Sequence, residues 1–378
     1  MSSVSTDAFD SFPEWFVDTP AEWEKFKDFI LSSSSLESCS IDTEADSMHS
    51  YETKLCLIQF SVPDRLAIID PLSIGLENLG DFPDFIDRFQ NVWMHGADYD
   101  ISMFSMTFDW APSTILDTQI AARLLGETKF GLASLLESEY GVKLSKQSQK
   151  ADWSRRPLSE KMLDYAYNDV RYLLNLGAKF ESRLEEAERK DWFYESCDTA
   201  RNSVFDRDSR PENEAWRIAG WGKLSPKGLN YLQHLWKWRD DECRKLDRPA
   251  FKFLGNKDLF RMSMNLEQGV HPDPPRFLKP QYVRRMQQAI QKAQLVDSSE
   301  YPSKKVRGNG SRLDINEAAY DRIQAYRNKQ AESLGIEGTM IATRGSMERM
   351  ASTNLSEEER FEGVMNWQRE VLEPVCSD

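Results

Sequence analysis

Apolar positions in the first 120 residues come in short bursts rich in small and β-branched residues, separated by brief polar breaks. LESCSIDTEA (36–45), KLCLIQFSV (54–62) and RLAIIDP (65–71) follow one another so closely that they predict three consecutive antiparallel strands. FPDFIDRFQ (82–90) has helical spacing, NVWMHG (91–96) reads as a strand, a helix is expected to start near Asp98, and STILDT (113–118) is a last short strand. From Gln119 to about Arg189 the pattern is helical. Alternating strands and amphipathic stretches are the rhythm of an α/β domain.

Beyond about Arg201 the pattern contains helices only, punctuated by Gly and Pro. LSPKGLNYLQHLWKWRDDECRKLDRP (224–249) predicts a long amphipathic helix ended by Pro249, and NKDLFRMSMN (256–265) a second one behind an Asn256 cap. VDSSEYPSKKVRGNGS (296–311), rich in Ser, Gly and charge, reads as a linker. After it, residues 314–351 repeat the same plan of a long helix, a turn and a short GSMERMA helix, so two copies of one small helical module are expected. The predicted boundaries are 1–205, 206–296, a linker over 297–310, and 311–378.

Charge sharpens that division. The 378 residues hold 48 basic and 62 acidic side chains, which disfavours a nucleic-acid partner if taken whole. Residues 1–200 carry 18 basic and 36 acidic groups, but residues 201–310 carry 22 and 13. An acidic half able to hold cations precedes a basic module able to hold phosphates. No apolar run of about 18 residues predicts a membrane span. The start, MSSVSTDAFDSF, lacks the pattern of a secretory signal, and the five cysteines form no CxxC pair. A reduced, cytoplasmic setting is expected.

The first strand ends in an unusual way. Asp42 and Glu44 are two apart, so on a strand they share a face, and neighbouring anions repel unless a cation lies between them. Acids at Asp98 and Asp100 fall where a strand runs into a helix. Tyr165 and Asp169 are four apart in MLDYAYNDVRYLLNL and share a helix face. Taken singly, these are a solvent-facing acid pair, a helix cap and a surface pair. Occurring in order, each on an element type where a common site can form, they predict an oxygen-donor site for two hard cations, Mg²⁺ or Mn²⁺. Tyr165 would orient or deprotonate an attacking water.

At these residues the chain resembles the ribonuclease D family of 3′-5′ exonucleases, the group named for four acids plus a tyrosine. IDTEADSMHSYETKLCLIQFSV is similar to its first motif, HGADYDISMF to its second and YAYNDVRYLL to its third; LDTQIAARLLG, FGLASLLESEYGVKLSK and ADWSRRPLSEKMLDYA also follow its pattern. The resemblance implies a ribonuclease H-like α/β exonuclease domain followed by two small all-α helical domains of the HRDC type. It implies Asp42, Glu44, Asp100 and Asp169 as ligands of two divalent ions and Tyr165 as the catalytic tyrosine. The spacing from His95 selects Asp100 over Asp98. Met103 and Lys146 fall where relatives contact the terminal nucleotide, and His95 joins them as a substrate-binding residue. Ala45 departs from the bulky or hydrogen-bonding residue often found after the first glutamate. Asp117 reads as a helix cap.

The implied activity is release of nucleoside 5′-monophosphates from RNA 3′ ends, with tRNA precursors as substrates. The RNA body would lie on Lys223, Lys227, Lys237, Arg239, Arg244, Lys245, Arg248, Arg284 and Arg285, with Tyr231, Trp236 and Trp238 as candidate stacking surfaces. An exonuclease acting on single-stranded DNA and a catalytically weak nucleic-acid scaffold are the alternative readings. A helicase is excluded by the lack of a GxxxxGK[ST] phosphate loop.

Overall fold

In the computed structural model, residues 12–33, 35–145, 147–208, 214–304 and 313–376 are described. Six strands make one sheet: β1 (Glu14–Val17), β2 (Ser38–Ala45), β3 (Leu55–Val62), β4 (Arg65–Ile69), β5 (Asn91–Met94) and β6 (Ile115–Asp117), in the order β1-β4-β3-β2-β5-β6. β2, β3 and β4 pair antiparallel, as their close spacing predicts, while β5 and β6 extend the sheet in parallel beyond β2. The sequence pattern missed β1. Its four residues are too few to show a period, and its partner β4 lies some 50 residues away, paired in parallel.

All eight residues of β3 are buried, because the strand is covered on both faces and therefore reads as a continuous apolar run. One face carries Ile41, Ile58 and Phe60 against an aromatic cluster that includes Trp23, Phe26 and Phe85. On the other, the Ser40 and Ser61 hydroxyls lie 2.6 Å apart, and each reaches the Val170 carbonyl oxygen at 3.3–3.4 Å. Those contacts hold the helix Glu160–Arg171 across the sheet. Ser159 starts this helix by accepting the Met162 amide. The expected helical stretch from Gln119 to Arg189 is in fact several helices, Thr118–Leu124, Leu132–Tyr140, Glu160–Arg171 and Leu173–Glu186, with non-helical backbone between them.

Two compact units result. The first comprises Met1–Ala45, Leu55–Asp208 and Ser311–Asp378. Its C-terminal helices, Glu317–Leu334, Arg344–Met350 and Asn366–Cys376, share a core with Leu173–Glu186 and Lys190–Asp208. Trp192 and Trp367 stack at 4.7 Å and 14°, and the Glu195 carboxylate accepts the Asn366 and Trp367 amides. Residues 313–376 thus form the long-helix and short-helix plan read from the sequence, and they bury its apolar face against the α/β core.

The second unit comprises Asp46–Lys54 and Ser209–Gly310. The helices Pro226–Leu246, Asn256–Glu267 and Pro280–Gln294 enclose Leu229, Leu232, Leu235, Met262 and Ile290. Gly255, not Asn256, is the N-cap of the middle helix, since the Asn256 side-chain oxygen is taken by Arg239 at 2.7 Å. Tyr51 joins this unit through its amide to Asp247 (2.9 Å) and its hydroxyl to Asp240 (2.7 Å). Among the described residues no helix is long and apolar enough to cross a membrane.

Candidate active site

Strand geometry places Asp42 and Glu44 on the sheet face that the helix Glu160–Arg171 covers. Asp42 stands opposite Gln59 and Glu44 opposite Leu57, and the register slips immediately afterwards, between Glu44 and Ala45. A slip of this kind ends regular pairing just beyond the acids and re-aims the chain. Ala45, the departure noted in the sequence, occupies that irregularity and packs on the core. Asp169 comes down from the helix, and its carboxylate oxygen lies within 4.8 Å of those of Asp42 and Glu44.

Asp100 enters from the first turn of the helix Asp98–Phe108. It is buried whereas Asp98 is exposed. The Thr43 hydroxyl donates to Asp100 Oδ1 at 2.5 Å. Thr43 is a positioning residue that the sequence reading passed over; its only signal was its place between the two acids.

Burial first, and mutual repulsion second, push these carboxyl groups up. Asp42 and Asp100 are held well above the usual carboxylate range, Glu44 is raised to about 10, and Asp169 to about 7. Among the described residues no ion pair engages any of the four. Four neighbouring carboxylates, Asp100 and Asp169 buried and Asp42 and Glu44 half-buried, offering oxygen donors alone, fit hard divalent cations and do not fit zinc, which favours His and Cys. The Tyr165 hydroxyl donates to Asp169, and burial with the neighbouring anions raises its pKa strongly, so the phenol keeps its proton.

A cavity of about 340 Å³ opens beside this cluster, lined by Asp42, His95, Leu132, Leu144, Tyr165 and Asp169 among others. His95 reaches it in a defined state. Its Nδ1 lies 2.9 Å from the Thr118 hydroxyl, and that hydroxyl donates its one proton to the Met94 carbonyl at 3.1 Å. With the Thr118 proton on the Met94 carbonyl, Nδ1 is the donor to that hydroxyl and Nε2 keeps the lone pair. Burial lowers the imidazole pKa, which favours the neutral ring. Asp117 caps the helix Thr118–Leu124, as expected, by accepting the Gln119 amide; it also accepts the Gly96 and Ala97 amides, each at 2.9 Å. The same carboxylate thus fixes the His95 loop, where Gly96 needs φ +68°, and the entry to the helix carrying Asp100.

Other expected residues fall elsewhere. Met103 is 2% exposed in the core, so a base has no surface of it to pack on. Its helix turns it toward the sheet together with Ile101 and Phe104. Lys146 lies outside the described residues. In the helical unit, Arg239 is 4% exposed and donates to the Leu254 carbonyl and Asn256, and Arg285 pairs with the buried Glu242. Tyr231 and Trp238 are core residues and Trp236 packs on the same core, which corrects their expected stacking role; tryptophans at helical spacing filled the module's interior. Lys223, Lys227, Lys237, Arg244, Lys245, Arg248 and Arg284 are exposed.

Comparison with known proteins gives the same direction. The sequence model of the 3′-5′ exonuclease family matches residues 17–185. A ribonuclease D from Xanthomonas oryzae pv. oryzae is 29% identical over 341 residues, spanning 88% of this chain and 90% of that protein. One from Haemophilus influenzae is 26% identical and spans 89% and 86%. In fold, the chain superposes on Escherichia coli RNase D, an exoribonuclease involved in structured RNA processing, with a TM-score of 0.71 at 22% identity over 97% of this chain and 98% of that one.

Proposed function

We propose that this chain, which is similar to ribonuclease D proteins over most of its length, is a 3′-5′ exonuclease of that family and hydrolyses the terminal phosphodiester of RNA 3′ ends, releasing nucleoside 5′-monophosphates, at the site built by Asp42, Glu44, Asp100, Tyr165 and Asp169. The observation that carries this reading is the group of four carboxylates, Asp42, Glu44 and Asp169 with oxygens within 4.8 Å of one another and Asp100 held by Thr43, without an ion-pair partner among the described residues and beside Tyr165 and a cavity of about 340 Å³.

Asp42, Glu44, Asp100 and Asp169 would hold two divalent ions, Mg²⁺ or Mn²⁺. Such ions supply Lewis acidity at the scissile phosphate and compensate the charge of the carboxylates and the phosphate together. The protein's own groups do the rest. Tyr165, whose hydroxyl donates to Asp169, orients the attacking water through its oxygen lone pairs. The terminal nucleoside occupies the cavity, with Leu132 and Leu144 as apolar walls. The His95 Nε2 lone pair accepts a ribose hydroxyl proton there, a contact that a neutral imidazole in this tautomer makes and an imidazolium does not. Asp117 and Thr43 keep His95 and Asp100 in place.

The RNA body lies along the basic helical unit on Lys223, Lys227, Lys237, Lys245, Arg248 and Arg284. Phe251 (56% exposed) and Phe277 (68% exposed) take the stacking role expected of the tryptophans, and large exposed rings amid basic residues suit single-stranded RNA. Precursor tRNAs with single-stranded 3′ ends, met in the cytoplasm, are the proposed substrates. The test is a time course on matched RNA and DNA single strands with Mg²⁺, Mn²⁺ or chelator. Mononucleotide release from RNA that stops with chelation and with Asp42→Ala is expected. Degradation that survives chelation would remove the cation site from the reading, and equal rates on both strands would remove the RNA preference.

A further inference from the structure

Gln59 is fully buried (0% exposed), and among the described residues neither its amide nitrogen nor its amide oxygen has a hydrogen-bond partner. An amide buried unpaired is costly, and nearly all such groups in folded proteins find a partner. Its place in the sheet identifies the partner. The β2–β3 register sets Gln59 directly opposite Asp42, and residues directly opposed in an antiparallel pair project to the same face with Cβ atoms about 4.5–5.5 Å apart. On its other side β4 presents Ile68, which is apolar. Leu57 and Ser61, two residues away along β3, share the face, but Leu57 is apolar and the Ser61 hydroxyl is engaged by Ser40 and Val170. Among its neighbours in the sheet, Asp42 is the polar side chain left to it.

We propose that Gln59 is a positioning residue of the cation site: when divalent ions load the cluster, its Nε2–H donates to the Asp42 carboxylate and fixes the orientation in which that carboxylate meets the ions. The inference rests on reading the four acids as a cation site. A neutral amide suits the task. A lysine at this position would neutralise the carboxylates and compete with the ions, and a glutamate would add a fifth anion. An amide orients Asp42 without changing the charge of the site, as hydrogen-bond partners of ligating carboxylates do.

Two variants, Gln59→Leu and Gln59→Met, test it, because both keep the volume and remove the amide. Mn²⁺ binding to the full chain is measured by titration calorimetry without RNA, beside the melting temperature in chelator. The expected result is a loss of about 10- to 100-fold in Mn²⁺ affinity, as removal of a ligand's hydrogen-bond partner produces, with an equal or higher melting temperature in chelator. A role in packing alone gives the opposite pattern: Mn²⁺ affinity within twofold of wild type, with or without a lowered melting temperature, overturns the proposal. Asp42→Ala and Asp169→Ala are measured in parallel. If these lose Mn²⁺ and the Gln59 variants keep it, only the Gln59 inference fails; if they bind Mn²⁺ like wild type, the cation site itself fails and the inference with it.

Discussion

Tyr165 illustrates how one side chain's work is set by its neighbours. A free phenol beside a reacting water can act as base or as orienting group, but here its proton is donated to Asp169 and three carboxylates oppose its ionisation. Tyr165→Phe keeps the ring contact with Trp153 and removes only the hydroxyl. We expect a fall in kcat of roughly 10²-fold or more with KM little changed, since the lost interaction belongs to the transition state. Steady-state kinetics on a single-stranded RNA check this.

The carboxylates also make a stability prediction. Asp169 is raised from its ordinary 3.8 to about 7, and Asp42, Glu44 and Asp100 are raised too. Between the unfolded and folded pKa values the folded state binds more protons, so stability falls as pH rises through that window. In chelator the melting temperature should drop between about pH 4 and pH 7, apart from any general acid unfolding at the lower end. Mg²⁺ or Mn²⁺ at pH 7 should restore it by binding the folded state. A melting temperature that is flat over this range in chelator and unmoved by the ions would contradict the cluster's proposed occupancy.

At the scale of elements, the helix Glu160–Arg171, which carries Tyr165 and Asp169, is held by more than its own turns. The segment leading into it is anchored by Arg156, which donates to both oxygens of the fully buried Asp70 at 2.6 Å and to the Cys56 and Trp153 carbonyls. Asp70 in turn accepts the Leu72 and Ser73 amides after β4. Removing one partner leaves a buried charge unpaired, so Arg156→Ala should destabilise by about 3 kcal/mol. Urea unfolding measures that, and a matching loss of exonuclease rate in the still-folded protein would show that the anchor also aims Tyr165 and Asp169. Little of this was legible beforehand. ADWSRRPLS follows the family's pattern in sequence, but that Arg156 should find Asp70, 86 residues away, is a tertiary fact.

For the whole molecule, the division into units differs from the division into sequence modules. The two helical modules have similar patterns, yet residues 313–376 share the core of the α/β unit, whereas residues 214–304 build their own. Trp367→Ala should therefore cost about 3–5 kcal/mol by emptying the stack with Trp192. Because that core is shared, the exonuclease should lose thermal stability too. A melting curve followed through both exonuclease activity and tryptophan fluorescence tests it; loss of the helical signal alone, with activity melting unchanged, would mean the two parts unfold separately.

The sequence alone determined the order of β2 to β6 and the helices Pro226–Leu246 and Glu317–Leu334, and it singled out the four acids with Tyr165 as candidates for a common site. Local periodicity and the chemistry of like charges held at fixed spacing need no knowledge of distant partners. Only the tertiary structure decided which of Asp98 and Asp100 is buried, that Met103 and Trp238 are interior, that Asp117 and Thr43 brace the site, and that Gln59 lies opposite Asp42 without a partner. Each of these depends on which surfaces meet across a sheet register or a helix contact. Residue types that serve equally as core, cap or ligand are told apart by that meeting and not by their spacing along the chain.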